Sequence, residues 1–159
     1  TISRYNLAAC SSSTRGVFGG GVSGTNSNVL DYITIDTIGG CTDFGDLTVA
    51  RYQLAACSSS TRGVFGGGYA STYSNVLDYI TISTLGVATD FGDLTMARYA
   101  LAACSSSTRG VFGGGVASIY YNVLDYITIS TTGNAADFGD LTISRYNLAA
   151  CSDGHGGLA

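Results

Sequence analysis

Lysine, glutamate, proline and tryptophan are all missing from this chain of 159 residues, and histidine occurs once. Its seven bases are therefore all arginine, its eleven acids all aspartate, and the net charge is -4. That balance argues against a nucleic-acid partner, because phosphates are neutralised by clustered Lys and Arg. The apolar runs fall well short of the roughly 18 residues that a membrane-spanning helix needs. The lone His155 stands in the tail S-D-G-H-G-G-L-A, and one tail histidine cannot act as base for three equal serine-rich turns. No Cys-x-x-Cys spacing offers a metal site, and the glycine triplets lack the Lys-Ser/Thr ending of a phosphate loop. The reading is non-enzymatic, with no catalytic residue, cofactor or metal. There is also no Asn-x-Ser/Thr sequon, no signal-like segment and no starting methionine, as expected of a mature piece or a window from a longer array.

What is present repeats every 47 residues. Arg4, Arg51, Arg98 and Arg145 are successive steps of that period, as are Cys10, Cys57, Cys104 and Cys151. One unit reads R-Y-x-L-A-A-C-S-S-S-T-R-G-V-F-G-G-G, a variable stretch, N-V-L-D-Y-I-T-I, a second variable stretch, and D-F-G-D-L-T. The units fall at 1–47, 48–94 and 95–141, residues 142–151 start a fourth, and 152–159 form a non-repeating tail. A fixed period of this size marks stacked or radially arranged supersecondary units.

The apolar runs within a unit are short, β-branched or aromatic, and separated by Gly, Ser and Asn, which predicts strands. In the first unit these are Tyr5–Ser11, Gly16–Gly20, Asn28–Ile35 and Phe44–Thr48. Four short antiparallel strands per unit predict an all-β protein of repeated blades, either a β-propeller or an open array of blades. Leu7, Ala8, Val17, Phe18, Tyr32, Ile33 and their repeat mates are the expected core. The four repeat-locked cysteines read as small buried hydrophobes in preference to inter-repeat or inter-chain disulfides.

The order of Arg4, a small-residue strand, an aromatic strand ending in Gly19-Gly20, a strand with central Tyr32 and a last strand with Phe44 resembles the kelch repeat. The resemblance covers essentially the whole chain and implies propeller blades. It departs in having Phe44, Phe91 and Phe138 where kelch repeats usually carry Trp, and in a longer gap between Tyr32 and Phe44. The repeated D-Y-I-T-I and D-F-G-D-L-T also resemble repeat proteins of marine phages and environmental sequences. That resemblance implies an extracellular or virion-associated location.

Propellers close with roughly four to eight blades, and this chain supplies three. The expectation is a self-assembling module: a six-bladed ring of two chains, or an array that continues covalently or by chain-to-chain docking into a fibre. Residues 1–18 and 142–159 then lie at the junction. The alternative is a binding module. The stretches V-S-G-T-N-S, Y-A-S-T-Y-S and V-A-S-I-Y-Y vary between otherwise equal units, on loops of a rigid scaffold. Tyr69, Tyr73, Tyr120 and Tyr121 there are candidate contacts for a glycan or a protein partner. The repeated Arg4, Arg51, Arg98 and Arg145, with Asp43, Asp90 and Asp137, are read as structural. Asp43 and Asp46 are expected in turn hydrogen bonds and in ion pairs with Arg4 or Arg15. D-F-G-D offers too few oxygen ligands for calcium.

Overall fold

A computed structural model describes residues 2–152. Among these there is no helix, and three four-stranded antiparallel sheets recur with the sequence period. The first contains β1 (Ala8–Ser11), β2 (Arg15–Gly19), β5 (Val29–Thr34) and β6 (Thr42–Asp46), in that spatial order. Its β2–β5 connection carries a minimal ladder of β3 (Val22–Ser23) and β4 (Thr25–Asn26). The second blade is β7 (Ala55–Ser58), β8 (Arg62–Gly66), β9 (Val76–Thr81) and β10 (Thr89–Asp93). The third is β11 (Ala102–Ser105), β12 (Arg109–Gly113), β13 (Val123–Thr128) and β14 (Ala136–Asp140).

The second and third strands agree with the sequence reading to within one residue at each end, and the first and last differ by more, each for a local reason. The first strand begins at Ala8 instead of Tyr5, because Asn6 has φ 57 and turns the chain out of extended geometry. Gln53, Ala100 and Asn147 repeat that left-handed turn at φ 51, 56 and 52. The last strand begins earlier, at Thr42, and Phe44 forms a bulge: Asp31 faces Asp43 and Leu30 faces Gly45, so Phe44 has no partner of its own. A bulge re-aims its side chain, and here the Phe44 ring meets Tyr32 edge-on with centroids 6.1 Å apart.

The blades stack face on face. The face each turns to its successor, here called trailing, carries Cys10, Val17, Leu30, Phe44 and Leu47 in the first blade. It packs on the leading face of the second: Leu54, Phe65, Ile80, Ile82 and Ala88. The trailing face of the second blade (Cys57, Val64, Leu77, Phe91, Leu94) packs identically on Leu101, Phe112, Ile127 and Ile129 of the third. Glycine makes this approach possible: a Cβ at Gly19 would stand 2.8 Å from the Phe65 ring.

The expected core is thus right for Val17, Phe65 and Ile80, but incomplete. Phe44, Leu30 and Leu47 belong to it, and Tyr32 is only half-buried. In the first blade Leu7, Phe18 and Ile33 are also half-buried, because they form a leading face with no blade before them.

At the narrow side of the stack β1, β7 and β11 lie side by side. The triplets Ala-Cys-Ser at 9–11, 56–58, 103–105 and 150–152 line one cavity of about 240 Å³. Serines tie successive units there. Ser58 Oγ donates to Ser11 O at 2.8 Å, and Ser105 Oγ to Ser58 O at 2.9 Å. The strands therefore converge on a common axis and the blades radiate from it, as in a propeller, without closing a ring.

The cysteine expectation needs correction. All five are free thiols, but only Cys10 and Cys57, enclosed between blades, are buried. Cys104 is half-covered and Cys151 is exposed, since no complete unit follows them, and Cys41 is exposed on the first leading face.

Candidate functional site

Each unit opens with an arginine, and the fold buries those of the second and third units, Arg51 and Arg98, completely. Arg51 and Asp78 are both 0% exposed, and Arg51 Nη2 donates to Asp78 Oδ2 at 2.8 Å. The same guanidinium donates to Phe65 O at 3.2 Å and Val76 O at 2.8 Å, gripping the second and third strands of its blade. Arg4–Asp31 and Arg98–Asp125 repeat the pair at 2.5 and 2.9 Å. Burial pushes the Asp78 carboxyl up, while the Arg51 charge and the Thr48 hydroxyl pull it back. These pairs replace the expected ones of Arg4 or Arg15 with Asp43 or Asp46. Asp31 points into the blade stack where an arginine reaches it, whereas Asp43 and Asp46 sit on the outer strand. Asp90 and Asp137 instead hold the bulge, accepting from Gly92 N and Gly139 N at 3.2 and 3.0 Å. Arg15 lies over the Tyr32 ring at 4.3 Å and reaches Ile82 O of the next unit at 2.7 Å. Arg145 is exposed.

With the arginine held inside, the next residue is forced to the rim. This places Tyr5, Tyr52, Tyr99 and Tyr146 beside the variable connections between the second and third strands. Tyr52 N donates to Tyr69 O at 3.2 Å, and Tyr99 N to Val116 O at 3.0 Å. Tyr69 then packs against Tyr52 (5.7 Å), Tyr73 (5.8 Å) and Tyr99 (5.8 Å). Tyr73 and Tyr99 are parallel to within 2°. In the third unit Tyr120 stacks on Tyr146 at 4.8 Å and 9°. These spacings suit offset and edge-to-face aromatic contacts.

Of the four tyrosines singled out in the sequence, three join this rim: Tyr69, Tyr73 and Tyr120. Tyr121 does not join the ring contacts among the described residues. It occupies the position of Ser27 and Ser74, and its backbone is tied to Gly115 O at 2.9 Å and Arg145 N at 3.2 Å. Tyr52, Tyr99 and Tyr146 escaped the sequence reading because their invariance within the repeat assigned them to the first strand. The signal for them was the Asn after Tyr5 and Tyr146, a residue that tolerates φ > 0, obscured by Gln53 and Ala100 in the middle units.

Beside the third-unit pair lies an open groove of about 590 Å³, with Tyr99, Val116, Ile119, Tyr120 and Tyr146 among its walls. A second pair of apolar surfaces lies at the two ends of the stack. Ile35 (49% exposed) and Cys41 mark the first leading face, and Phe138 (51%) marks the last trailing face. Their internal counterparts Ile82 and Phe91 are 1% and 2% exposed. Among the described residues no group of His, Cys, Asp or Glu is arranged to hold a metal ion. No protein-family model matches the chain, and no curated protein is similar to it at a significant level.

Proposed function

We propose that this chain is a non-enzymatic structural repeat module that assembles head to tail, the trailing face of one copy receiving the leading face of the next. The observation that carries this reading is that the same face-to-face contact is made twice inside the chain. The two end faces are its unsatisfied halves. A docked copy would bring Phe18 against Leu124, as Phe65 meets Leu30 and Phe112 meets Leu77. Arg109 would reach Ile35 O, as Arg62 reaches Ile129 O at 3.0 Å. Exposed apolar patches normally mark interfaces, and a heterologous contact of this kind gives rings when the rotation closes and filaments when it does not.

Residues 142–152 enter the junction directly. They follow the course of a fourth first strand: Arg145 O accepts from Gly115 N at 2.9 Å, and Ser152 Oγ from Ser105 N at 2.8 Å. Docking therefore exchanges this segment with residues 1–11 of the incoming copy, a form of strand addition. Kelch-like kinship belongs to the same proposal, supported by the places of Arg4, Gly19, Gly20, Tyr32 and Phe44 in the blade. So does a role in a virion fibre or extracellular filament, supported by the near-identical units.

Gly16→Ala separates assembly from folding. Inside the chain a Cβ at the equivalent Gly63 would overlap Cys10 Sγ of the preceding blade, whereas one at Gly16 would meet only its own blade, Ile33 at 3.3 Å and Phe18 at 3.9 Å. Sedimentation velocity should show concentration-dependent oligomers for the unaltered chain and monomer for folded Gly16→Ala. A stable monomer of the unaltered chain at micromolar concentration, or unchanged assembly of Gly16→Ala, overturns the reading. A second reading, a binding module, is favoured by the tyrosine rim.

A further inference from the structure

The second and third units differ at one position with a large consequence for the rim. Tyr69 and Val116 are equivalent, and both make the same antiparallel bridges, to Tyr52 and Tyr73 in one unit and to Tyr99 and Tyr120 in the other. In the second unit the Tyr69 ring packs edge-on across both wall tyrosines. Its centroid is 5.8 Å from Tyr73 and from Tyr99, at 70° to both, and those two rings are themselves 5.8 Å apart. In the third unit valine leaves that edge-on place empty, the corresponding rings Tyr120 and Tyr146 stack at 4.8 Å, and a groove of about 590 Å³ lies over Val116. The turns share a backbone bond, Ala70 N donating to Thr72 O at 3.0 Å and Ala117 N to Ile119 O at 3.1 Å, but Ser71 alone has φ 99, and Thr72 and Ser74 give way to Ile119 and Tyr121.

We infer that the groove over Val116 is a receptor for a tyrosine side chain of a partner polypeptide. Tyr69 shows the geometry of the complex: a phenol ring set edge-on to two parallel tyrosines, the arrangement that the aromatic quadrupole favours. The exposed Ile119, where the second unit has Thr72, adds apolar surface beside the ring, suited to a neighbouring residue of a bound peptide. No arginine or aspartate lines the groove, which fits a neutral ring better than a charged group. The inference does not rest on head-to-tail assembly, because a docked copy would bring Tyr5 to the place of Tyr146 and leave the wall a tyrosine.

The test is a titration with N-acetyl-tyrosinamide, followed by the methyl resonances of Val116 and Ile119, with N-acetyl-leucinamide as comparison. The tyrosine amide should shift both sets of methyls saturably through its ring current, and the leucine amide should not. Val116→Tyr supplies the edge-on ring internally and should abolish the Ile119 response while leaving circular dichroism unchanged. Tyr69→Val, whose replacement already stands at 22 and 116, should open a second groove and add a saturable response at the introduced methyls. Equal response to the leucine amide, non-saturable shifts, or no gain of a second site in Tyr69→Val would overturn the proposal. Tyr69→Val keeps the test decisive if Val116→Tyr fails to fold.

Discussion

Single atoms decide how closely these blades approach: a Cβ at Gly63 would overlap Cys10 Sγ of the preceding blade, and one at Gly110 would overlap Cys57 Sγ. Interiors tolerate little overpacking, which costs roughly 1–3 kcal/mol per intruding group. Gly63→Ala and Gly110→Ala, each facing a cysteine of the preceding blade, should lower stability by about that amount. Gly16→Ala should change it far less, and urea denaturation of the three variants checks the contrast. The same enclosure sets thiol chemistry. Burial pushes the Cys10 thiol up to about 12, whereas an unfolded cysteine ionises at about 8.5. The folded state therefore keeps a proton that the unfolded state loses. Stability from this group is intact below about pH 8.5 and declines as pH rises toward the folded value. Cys57 acts in the same direction. Urea midpoints measured from neutral pH upward should fall, with a shallower decline in Cys10→Ala. A thiol reagent should modify Cys41 and Cys151 rapidly, and Cys10 and Cys57 only on unfolding.

At the level of strands, the buried arginine and aspartate act as a clamp across each blade. Removing one partner of a buried ion pair leaves an uncompensated charge and costs roughly 3–5 kcal/mol. Asp78→Asn and Arg51→Met should each lose about that much, while Arg51→Met combined with Asp78→Leu should recover most of it. Chemical denaturation of the two singles and the double decides whether the clamp or mere burial holds β9. Much of this level was legible in the sequence. Alternating β-branched and aromatic residues bounded by glycine located all four strands of a blade, because side-chain alternation and turn chemistry are local. The clamp was not legible. Asp31 and Asp43 recur with the same period and face each other across adjacent strands, so spacing alone gives no reason to prefer either as the arginine's partner. Only burial distinguishes them, and burial depends on the neighbouring blade. The bulge at Phe44 was hidden for a similar reason, since the extra residue is visible only once two strands are in register. The tyrosine rim was half legible: its variable members stood out by differing between units, and its invariant members did not.

For the molecule as a whole, stability in a stacked array is approximately a sum of unit terms and nearest-neighbour interfaces. The second blade has both of its faces covered, the first and third one each. Hydrogen exchange should accordingly be slowest for β8 and β9 and faster for β2 and β14, and the proposed assembly would raise protection of β2 and β14. Uniform protection across the three blades would contradict the nearest-neighbour picture. A consequence of the left-handed turns near the axis also belongs at this scale. Gln53 N donates to Asn6 O at 2.8 Å, Ala100 N to Gln53 O at 2.8 Å, and Asn147 N to Ala100 O at 2.9 Å. Each rung joins a unit to the one before it, and all the peptide dipoles point the same way. The stack thus has a polarity of its own, much as a helix does, but with one hydrogen bond per 47-residue unit. One end offers a peptide N–H at Asn6 and the other a carbonyl at Asn147, so the proposed head-to-tail array would add copies in a single orientation and carry tips of different chemistry.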